Sequence, residues 1–516
     1  MSYPYQELTY AALGGLDSLD NAAAIPHSKS DEGWEGIHHF AQATNVFAPT
    51  KRRDIQTRPG MADVRSTAIN AAGIFTGMID QGDIGSNRFL MTVSIAAGSH
   101  NIYEDVANPP TAIAGGTNFT IGADNLVSMA NFHNGTNRGT IICSRSQDTP
   151  QFIVGSSGAR SNLSITGTTL PKYVEVFGQR AIYGYVTTAG TSHPQRVYWS
   201  DIRNGSSITD VITQFESFET EQGGDITAIK KLSDICMVGL MNNVFLLAVT
   251  PAFSKPFAVR ELPAGRYKGP VSHQGVVEAD NALWWIGQTG IHSLDLTGKI
   301  RDWADIIKPT ITGLKDSRRA YAIAGYDADR DLVVFAVTDG SDTKNQDVIA
   351  LNIKTGAIYL WTISVNAMAQ RMVSGENRLI MGGYVGKFRN WASGTAGDLD
   401  DATALIDADI ITPRYHLGRP DWVKLFAGFK ITFKPQNTSE DVILQYRMDD
   451  ASSWTSFASS PYSVTGTAFD VDTKYFPLMK AGTHCQLRIR EATLDHVMNI
   501  QSITPVFKFL HPGLNN

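Results

Sequence analysis

The feature that most constrains this chain is a unit of closely spaced strand signals that recurs along its middle part. In the clearest unit, apolar runs at 173–177, 181–186 and 196–202 are separated by short polar turns. Valine, isoleucine and aromatic residues dominate these runs, and such side chains fit a pleated, half-buried surface. The unit therefore predicts an antiparallel meander of consecutive strands.

Similar units follow at 225–249, 275–296, 319–361 and 368–391, and shorter apolar runs from about Ala72 onwards have the same texture. Repetition at roughly 40 to 50 residues per unit indicates propeller blades. Radial packing of such blades leaves few sheet edges exposed, which makes the arrangement stable. We expect an all-β protein with a β-propeller body of about five to seven blades over residues 63–395.

The two flanks of this body differ from it and from each other. Residues 1–62 lack sustained periodicity and end at Arg58-Pro59-Gly60, a plausible chain reversal, so we expect an extended N-terminal arm. Small and acidic residues around 394–409 indicate a linker. The alternating pattern beyond it predicts a C-terminal β-sandwich or barrel-like domain over 396–516. Helices should be minor, with 301–314 the best candidate.

Charge and cysteine usage exclude several classes of protein. A net charge of -6 provides no basic field for general nucleic-acid binding. Cys143, Cys236 and Cys485 have neither metal-ligand nor disulfide-framework spacing, which predicts buried thiols in a reducing compartment. The sequence has no signal-peptide pattern and no apolar run long enough for a membrane anchor.

No motif in the sequence specifies a catalytic residue, a cofactor or a metal. A Gly-rich phosphate loop, a GxSxG elbow and an HExxH helix are all missing from it. His38-His39 beside Glu35, and the acidic run from Asp398 to Asp409, fit a surface patch and a solvated linker better than metal sites. Asp327–Asp331 begins like a calcium loop, but Leu332 replaces the required glycine, which favours a hairpin turn.

Two aromatic pairs and one basic patch are further candidates for binding. Tyr198-Trp199 and Trp284-Trp285 suit a stacking platform for a sugar or a base. Adjacent strand residues face opposite sides, however, so core packing is the better interpretation. The patch at 51–53, Lys-Arg-Arg, is either a solvated face or a contact for an acidic subunit surface or passing nucleic acid.

Several segments together resemble a bacteriophage family. They are Arg58-Pro59-Gly60, the hairpins at 74–79 and 88–106, the segment at 196–211, where a strand ends Tyr-Trp-Ser-Asp, and the segment at 416–433, where Gly-Arg-Pro-Asp precedes an alternating strand. From about Arg58 to the C-terminal domain, the chain resembles the β-propeller tail nozzle, also called tail hub or tubular protein, of short-tailed, podovirus-like bacteriophages.

The resemblance implies a structural virion protein without catalytic activity, made in the cytoplasm of the host bacterium and located in the tail. Such a protein forms a homo-oligomeric ring, commonly a hexamer, that continues the DNA channel below the portal and adaptor. It carries tail fibres, spikes or tip proteins. DNA would be only a passing cargo during ejection, and an acidic channel wall would keep it from sticking.

Two other classes remain open from the sequence: a monomeric scaffold for other proteins, and a glycan-binding or glycan-cleaving propeller. Glycan cleavage needs paired carboxylates, for which Glu175, Asp201, Glu278 and Asp331 are the candidates. The test is whether two of them lie within about 5 to 10 Å of each other in one pocket.

Overall fold

The fold follows from a computed structural model of the chain, which is nearly all β. Strands contain 57% of the residues that the structure describes. The structure describes residues 6–7, 42–47, 55–82, 88–96, 99–122, 125–135, 137–144, 148–209, 213–218, 223–251, 255–303, 307–373, 375–391, 406–415, 421–434, 440–465, 471–491 and 498–512.

Five short strands of the described residues precede the propeller units. They are β1 (Gln6–Glu7), β2 (Gln42–Thr44), β3 (Val46–Phe47), β4 (Ile55–Thr57) and β5 (Met61–Asp63). The first four join the C-terminal sandwich, whereas β5 joins the propeller.

Six propeller blades are built from consecutive strands of the described chain. The first three are β6 (Ile74–Asp80), β7 (Phe89–Ala96), β8 (Ser99–Glu104) and β9 (Thr111–Ala112); β10 (Ser128–Asn134), β11 (Asn137–Cys143), β12 (Gln151–Val154) and β13 (Arg160–Asn162); and β14 (Thr169–Phe177), β15 (Arg180–Thr188), β16 (Thr191–Trp199) and β17 (Phe215–Ser217). The next three are β18 (Ile226–Leu232), β19 (Ile235–Leu240), β20 (Val244–Val249) and β21 (Phe257–Glu261); β22 (Val276–Ala279), β23 (Ala282–Ile286), β24 (Ile291–Asp295) and β25 (Ile300–Asp302); and β26 (Ile323–Asp327), β27 (Leu332–Val337), β28 (Asp347–Asn352) and β29 (Ile358–Thr362).

A seventh blade closes the ring with a strand from the other end of the propeller segment. It contains β30 (Ala367–Val373), β31 (Glu376–Gly382) and β32 (Phe388–Trp391), and β5 pairs antiparallel with β32 as its outermost strand. The innermost strands of successive blades contact one another in order, and β30 contacts β6. The described residues thus form a closed seven-bladed propeller, at the upper end of the predicted range.

The C-terminal unit is a β-sandwich of two sheets. Its own strands are β33 (Asp409–Ile411), β34 (Trp422–Phe433), β35 (Glu440–Met448), β36 (Thr455–Ser456), β37 (Tyr462–Val464), β38 (Asp472–Gly482), β39 (Cys485–Glu491) and β40 (Asn499–Pro512). One sheet has the order β3-β4-β40-β34-β38, with β1 also on β40. The other runs β2-β33-β39-β35-β36, with β37 on β35, and continues from blade six because β2 pairs parallel with β29.

The described part of residues 1–62 packs against the chain's own body. Val46 and Ile55 are buried in the sandwich core with Phe429, Phe476 and Leu487. The sequence led us to expect an extended N-terminal arm here. That expectation is corrected for these residues, because the core that orders them is built far away in the sequence and leaves no local periodicity.

A buried polar cluster joins the sandwich, the N-terminal strands and blade six. The Asn45 side chain donates to Asp407 O (3.0 Å) and accepts from Arg58 Nε (3.0 Å) and from the Thr362 backbone N–H (2.7 Å). Asn45 has φ 56°, a left-handed conformation that asparagine tolerates better than most residues. Arg58 is 1% exposed, so its guanidinium depends on these bonds rather than on water.

Helices are minor in the described residues, as the sequence predicted. There is an α-helix, α1 (Lys308–Thr312), and there are 3-10 turns at Pro263–Gly265 and Asp316–Tyr321. The predicted helix at 301–314 is wrong at its beginning, where β25 completes a blade. An outer strand of three residues is too short for its pattern to reveal it.

The closing strand β5 gives a test of the ring. Met61 is 3% exposed and packs with Trp361 and Trp391, so Met61→Ala should lower the free energy of unfolding by about 2–4 kcal/mol through lost burial and a residual cavity. Urea titration followed by tryptophan fluorescence measures the effect.

The matched control for this test is Met372→Ala. Met372 is 60% exposed, so its truncation should change stability by less than about 0.5 kcal/mol. Equal effects of the two substitutions would contradict closure of the propeller by β5.

The conformation of Asn45 gives a second test. Asn45→Gly and Asn45→Ala both lose the three side-chain hydrogen bonds, but alanine must also adopt the left-handed conformation, at a further cost of about 1 kcal/mol. We expect the alanine variant to have the lower urea midpoint. The reverse order would exclude backbone strain as a constraint at this junction.

Candidate functional site

Two cavities among the described residues lie along the propeller axis. The larger, of about 500 Å³, is lined by residues of all seven innermost strands. The smaller, of about 240 Å³, lies where these strands begin. Val127, Ser128, His273 and Gln274 line both cavities, so these residues form the partition between them.

Gln274 connects blades on different sides of the axis. Its Nε2 donates to Thr76 O (3.0 Å) in blade one and to Val127 O (2.5 Å) at the start of blade two. The Gln274 carbonyl accepts from the Ala324 N–H (2.8 Å) in blade six. This segment before β22 therefore closes the axial channel and ties the blades together.

His273 completes the partition as a neutral imidazole. Its Nδ1 accepts from the Ile229 N–H (3.3 Å), so Nε2 carries the proton and donates to Ser128 Oγ (2.9 Å). The Tyr173 ring stacks on the imidazole with ring centroids 5.0 Å apart. Burial, followed by the nearby ammonium groups of Lys230 and Lys172, lowers the pKa of His273 to about 3.

The structure brings two of the four candidate carboxylates to one cavity. Glu175 and Glu278 both line the larger cavity, and Asp80 lines it as well. Glu175 forms an ion pair with Lys230 (3.7 Å). The Asp80 carboxylate accepts from the backbone N–H of Met372 (2.9 Å). Two of these carboxylates therefore already have partners within the propeller.

The other two candidate carboxylates, those of Asp201 and Asp331, lie in a loop and in a hairpin turn. Asp201 accepts hydrogen bonds from Ser207 (2.5 Å), Thr209 (2.7 Å) and Gln214 (3.1 Å) in the loop that follows β16. Burial alone would raise the pKa of Asp201, but these hydrogen bonds lower it below its ordinary value, opposite to what a general acid needs. Asp331 ends the β26–β27 hairpin turn with φ 55°.

The aromatic pairs and the calcium-like loop have structural roles. Tyr198, Trp199, Trp284 and Trp285 are all at most 4% exposed, which confirms core packing rather than a stacking platform. Residues 327–331 form the predicted hairpin turn. No group of three potential metal-ligating side chains occurs among the residues that the structure describes.

The acidic run is only partly described. Asp407 and Asp409 pair with Arg490 (2.9 Å) and Arg488 (2.6 Å) on the sandwich, so this end of the run is not the solvated linker that we predicted. The arginines alternate along β39, far away in the sequence, which is why composition alone missed the pairing. His38-His39, Asp398–Asp401 and the basic patch at 51–53 lie outside the described residues.

Sequence reasoning missed the partition residues and Lys172, which lines the smaller cavity. A short Ser-His-Gln segment before a strand carries no spacing that distinguishes it from a loop. Only the closure of the ring brings Ser128, Tyr173 and Ile229 around it. All three cysteines, by contrast, are free and buried, as predicted.

No protein-family model and no curated protein matches this sequence. Among solved structures, virginiamycin B lyase from Staphylococcus aureus is 12% identical over 64% of this chain and 98% of its own, with a TM-score of 0.39. YCF48 bound to D1 peptide is 9% identical over 65% and 96%, with a TM-score of 0.38. The Swd1 β-propeller domain from Myceliophteria thermophila is 9% identical over 64% and 100%, with a TM-score of 0.40.

The strand pairing described above defines the class of this protein, a seven-bladed β-propeller with an attached β-sandwich. In the described residues, no helix is both long and apolar enough to cross a membrane.

The neutral state of His273 predicts acid sensitivity. Between pH about 6.5 and 3 the unfolded chain binds a proton on this residue and the folded chain does not, so stability should fall as pH falls. The loss attributable to His273 is up to about 1.4 kcal/mol per pH unit.

Urea unfolding at pH 7.5 and 5.5 measures this loss as the difference between the wild type and His273→Gln. His133→Gln is the control, because His133 is not part of the partition. An unchanged pH dependence in His273→Gln would contradict a neutral histidine in the folded protein.

Proposed function

We propose that this chain is a structural, noncatalytic component of the tail of a short-tailed bacteriophage. In this proposal it forms a ring, six copies in the family it resembles, that continues the DNA channel below the portal and adaptor. It carries fibre, spike or tip proteins. It is made in the host cytoplasm and resides in the virion.

The family-like segments occupy positions that organise the architecture. Arg58-Pro59-Gly60 lies where the chain passes from the sandwich to the closing strand β5. The hairpins at 74–79 and 88–106 form blade one. In the segment 416–433, residues 422–433 form β34, an interior strand between β40 and β38 in one sandwich sheet.

The observation that carries the assembly proposal is the long free edge of the sandwich. The eleven-residue strand β38 pairs with β34 on one side and with no other strand of the described chain. Tyr475 and Met479 on it are 44% and 59% exposed. Such an edge is a template for pairing with another chain, while Pro477 and the flanking lysines limit nonspecific aggregation.

A second surface fits attachment of other tail proteins. In four of the described blades an exposed aliphatic residue lies at the end of the third strand or in the loop that follows it. These residues are Val106, Ile202, Val249 and Leu296, at the same place in their blades and therefore on one face of the propeller. Repeated apolar residues on one face suit a protein-protein contact better than isolated exposed residues would.

The proposal that the protein is noncatalytic rests on the contacts that its acidic side chains make. Asp80, Glu175 and Asp201 have partners within the fold, and Asp331 shapes a turn. Glu278 is exposed at the larger cavity, and the axial partition separates that cavity from the smaller one. Glu175, the candidate that shares this cavity with Glu278, is already paired with Lys230, so the glycan-cleaving alternative has less support than the structural one.

Substitution of the free edge tests the proposal. Because both side chains are exposed, the double variant Tyr475→Lys and Met479→Lys should fold normally but repel a neighbouring copy. We expect the wild type to form a ring alone or with a portal or adaptor partner, and the variant to remain monomeric. Native mass spectrometry measures both.

The control is Met372→Lys, an equally exposed methionine on the propeller hairpin of blade seven. It should leave the ring intact. A ring that persists in the double variant would contradict the proposed edge, and a wild type that stays monomeric with its partners would contradict the function itself.

Deletions can test the N-terminal arm only if they end before β2. Removing residues 1–55 would also remove β2, β3 and the buried Val46.

A further inference from the structure

The smaller axial cavity has an unusual charge. Of its thirteen described lining residues, Lys172 alone has a formal charge, because His273 is neutral. The Lys172 ammonium lies 5.1 and 4.9 Å from the ring centroids of Tyr173 and Tyr185. The Lys172 ammonium makes a side-chain hydrogen bond with Tyr173, and Asp225 acts on it through space without forming an ion pair within 4 Å. A half-buried ammonium without a carboxylate in direct contact favours an anion.

The cavity also contains two side-chain hydrogen-bond donors, the Ser272 hydroxyl and the Asn125 amide, for which the described residues provide no acceptor. Ser272 is 3% exposed and lines the cavity, and its hydroxyl has no hydrogen-bond partner among the described residues. Asn125 accepts from the Tyr321 hydroxyl through Oδ1 (2.6 Å), so its amide Nδ2 remains a donor. A buried hydroxyl that faces a cavity without a protein partner is satisfied by water or by a ligand.

The walls and the volume limit the kind of anion. Tyr173 and Tyr321 contribute aromatic walls, which pack well against the carbon skeleton of a sugar. About 240 Å³ is at the low end for a small-molecule site, so a monosaccharide fits better than an oligosaccharide.

We propose that this cavity binds a sugar acid of monosaccharide size, such as a hexuronate, with its carboxylate on Lys172 and its hydroxyls on Ser272 and Asn125. The site is separate from the sandwich edge and from the propeller face that are proposed above for assembly.

Calorimetric titration of the full chain with glucuronate tests the proposal. The wild type should bind glucuronate, and Lys172→Met should weaken binding about tenfold or more through loss of the charge-assisted bond. Ser272→Ala, which removes one oxygen, should weaken it about threefold. Glucose and acetate should each bind more weakly than glucuronate, because each lacks half of the contacts.

The matched control is Lys231→Met, which removes a lysine from the other side of the partition. It should leave glucuronate binding unchanged. The proposal is overturned if the wild type does not bind glucuronate at tens of millimolar, or if Lys172→Met and Ser272→Ala both bind like the wild type. Acetate binding as tight as glucuronate would also overturn it, since the site would then recognise only a small anion.

Discussion

The architecture depends on one short segment that belongs to two bodies at once. Between β2 and β5 the chain contributes three strands to the sandwich and then supplies the strand that closes blade seven. The hydrogen bonds among Asn45, Arg58 and Thr362 fix the point where these bodies meet. Because the bonds are buried, breaking one leaves polar groups without water, so the junction is expected to be rigid. A rigid joint suits a subunit that must hold its sandwich at a fixed angle in an assembly.

The axial partition has a second architectural consequence. Propellers often use the axis for ligands, but here Gln274 and His273 join blades one, two, four and six across it. The axis is thus divided into a wide cavity with charges of both signs and a small cavity with one cation. Under the proposed function, the DNA path would lie in the centre of the ring of subunits and outside the individual propeller. The net charge of -6 is compatible with DNA passing a wall to which it does not adhere.

The repeat predicted the propeller because its inner strands are regular. The apolar runs at 173–177 and 181–186 lie within β14 and β15, and the β26–β27 turn is at Asp327–Asp331, as predicted. The outer strands were harder: Phe215–Ser217 and Ile300–Asp302 are three residues long, too short for a period to appear. Because the short outer strands could not be recognised, the sequence supported only a range of about five to seven blades.

Contacts between distant parts of the sequence could not be predicted from local pattern. The closing strand Met61–Asp63 pairs with residues more than 320 positions later, as the Arg389–Asp63 pair shows. The same is true of His273, whose partners come from three other blades, and of Asp409, whose arginine lies 79 residues away. Each of these sites depends on ring closure or on sheet register, which are properties of the whole fold.

Electron cryomicroscopy of the purified protein bound to a portal or adaptor complex would test the central claim most directly. The account predicts a closed ring of copies around a central channel, with β38 at the contact between subunits and every propeller axis blocked by Gln274 and His273. A single copy bound away from the channel, or DNA density running through a propeller axis, would contradict it.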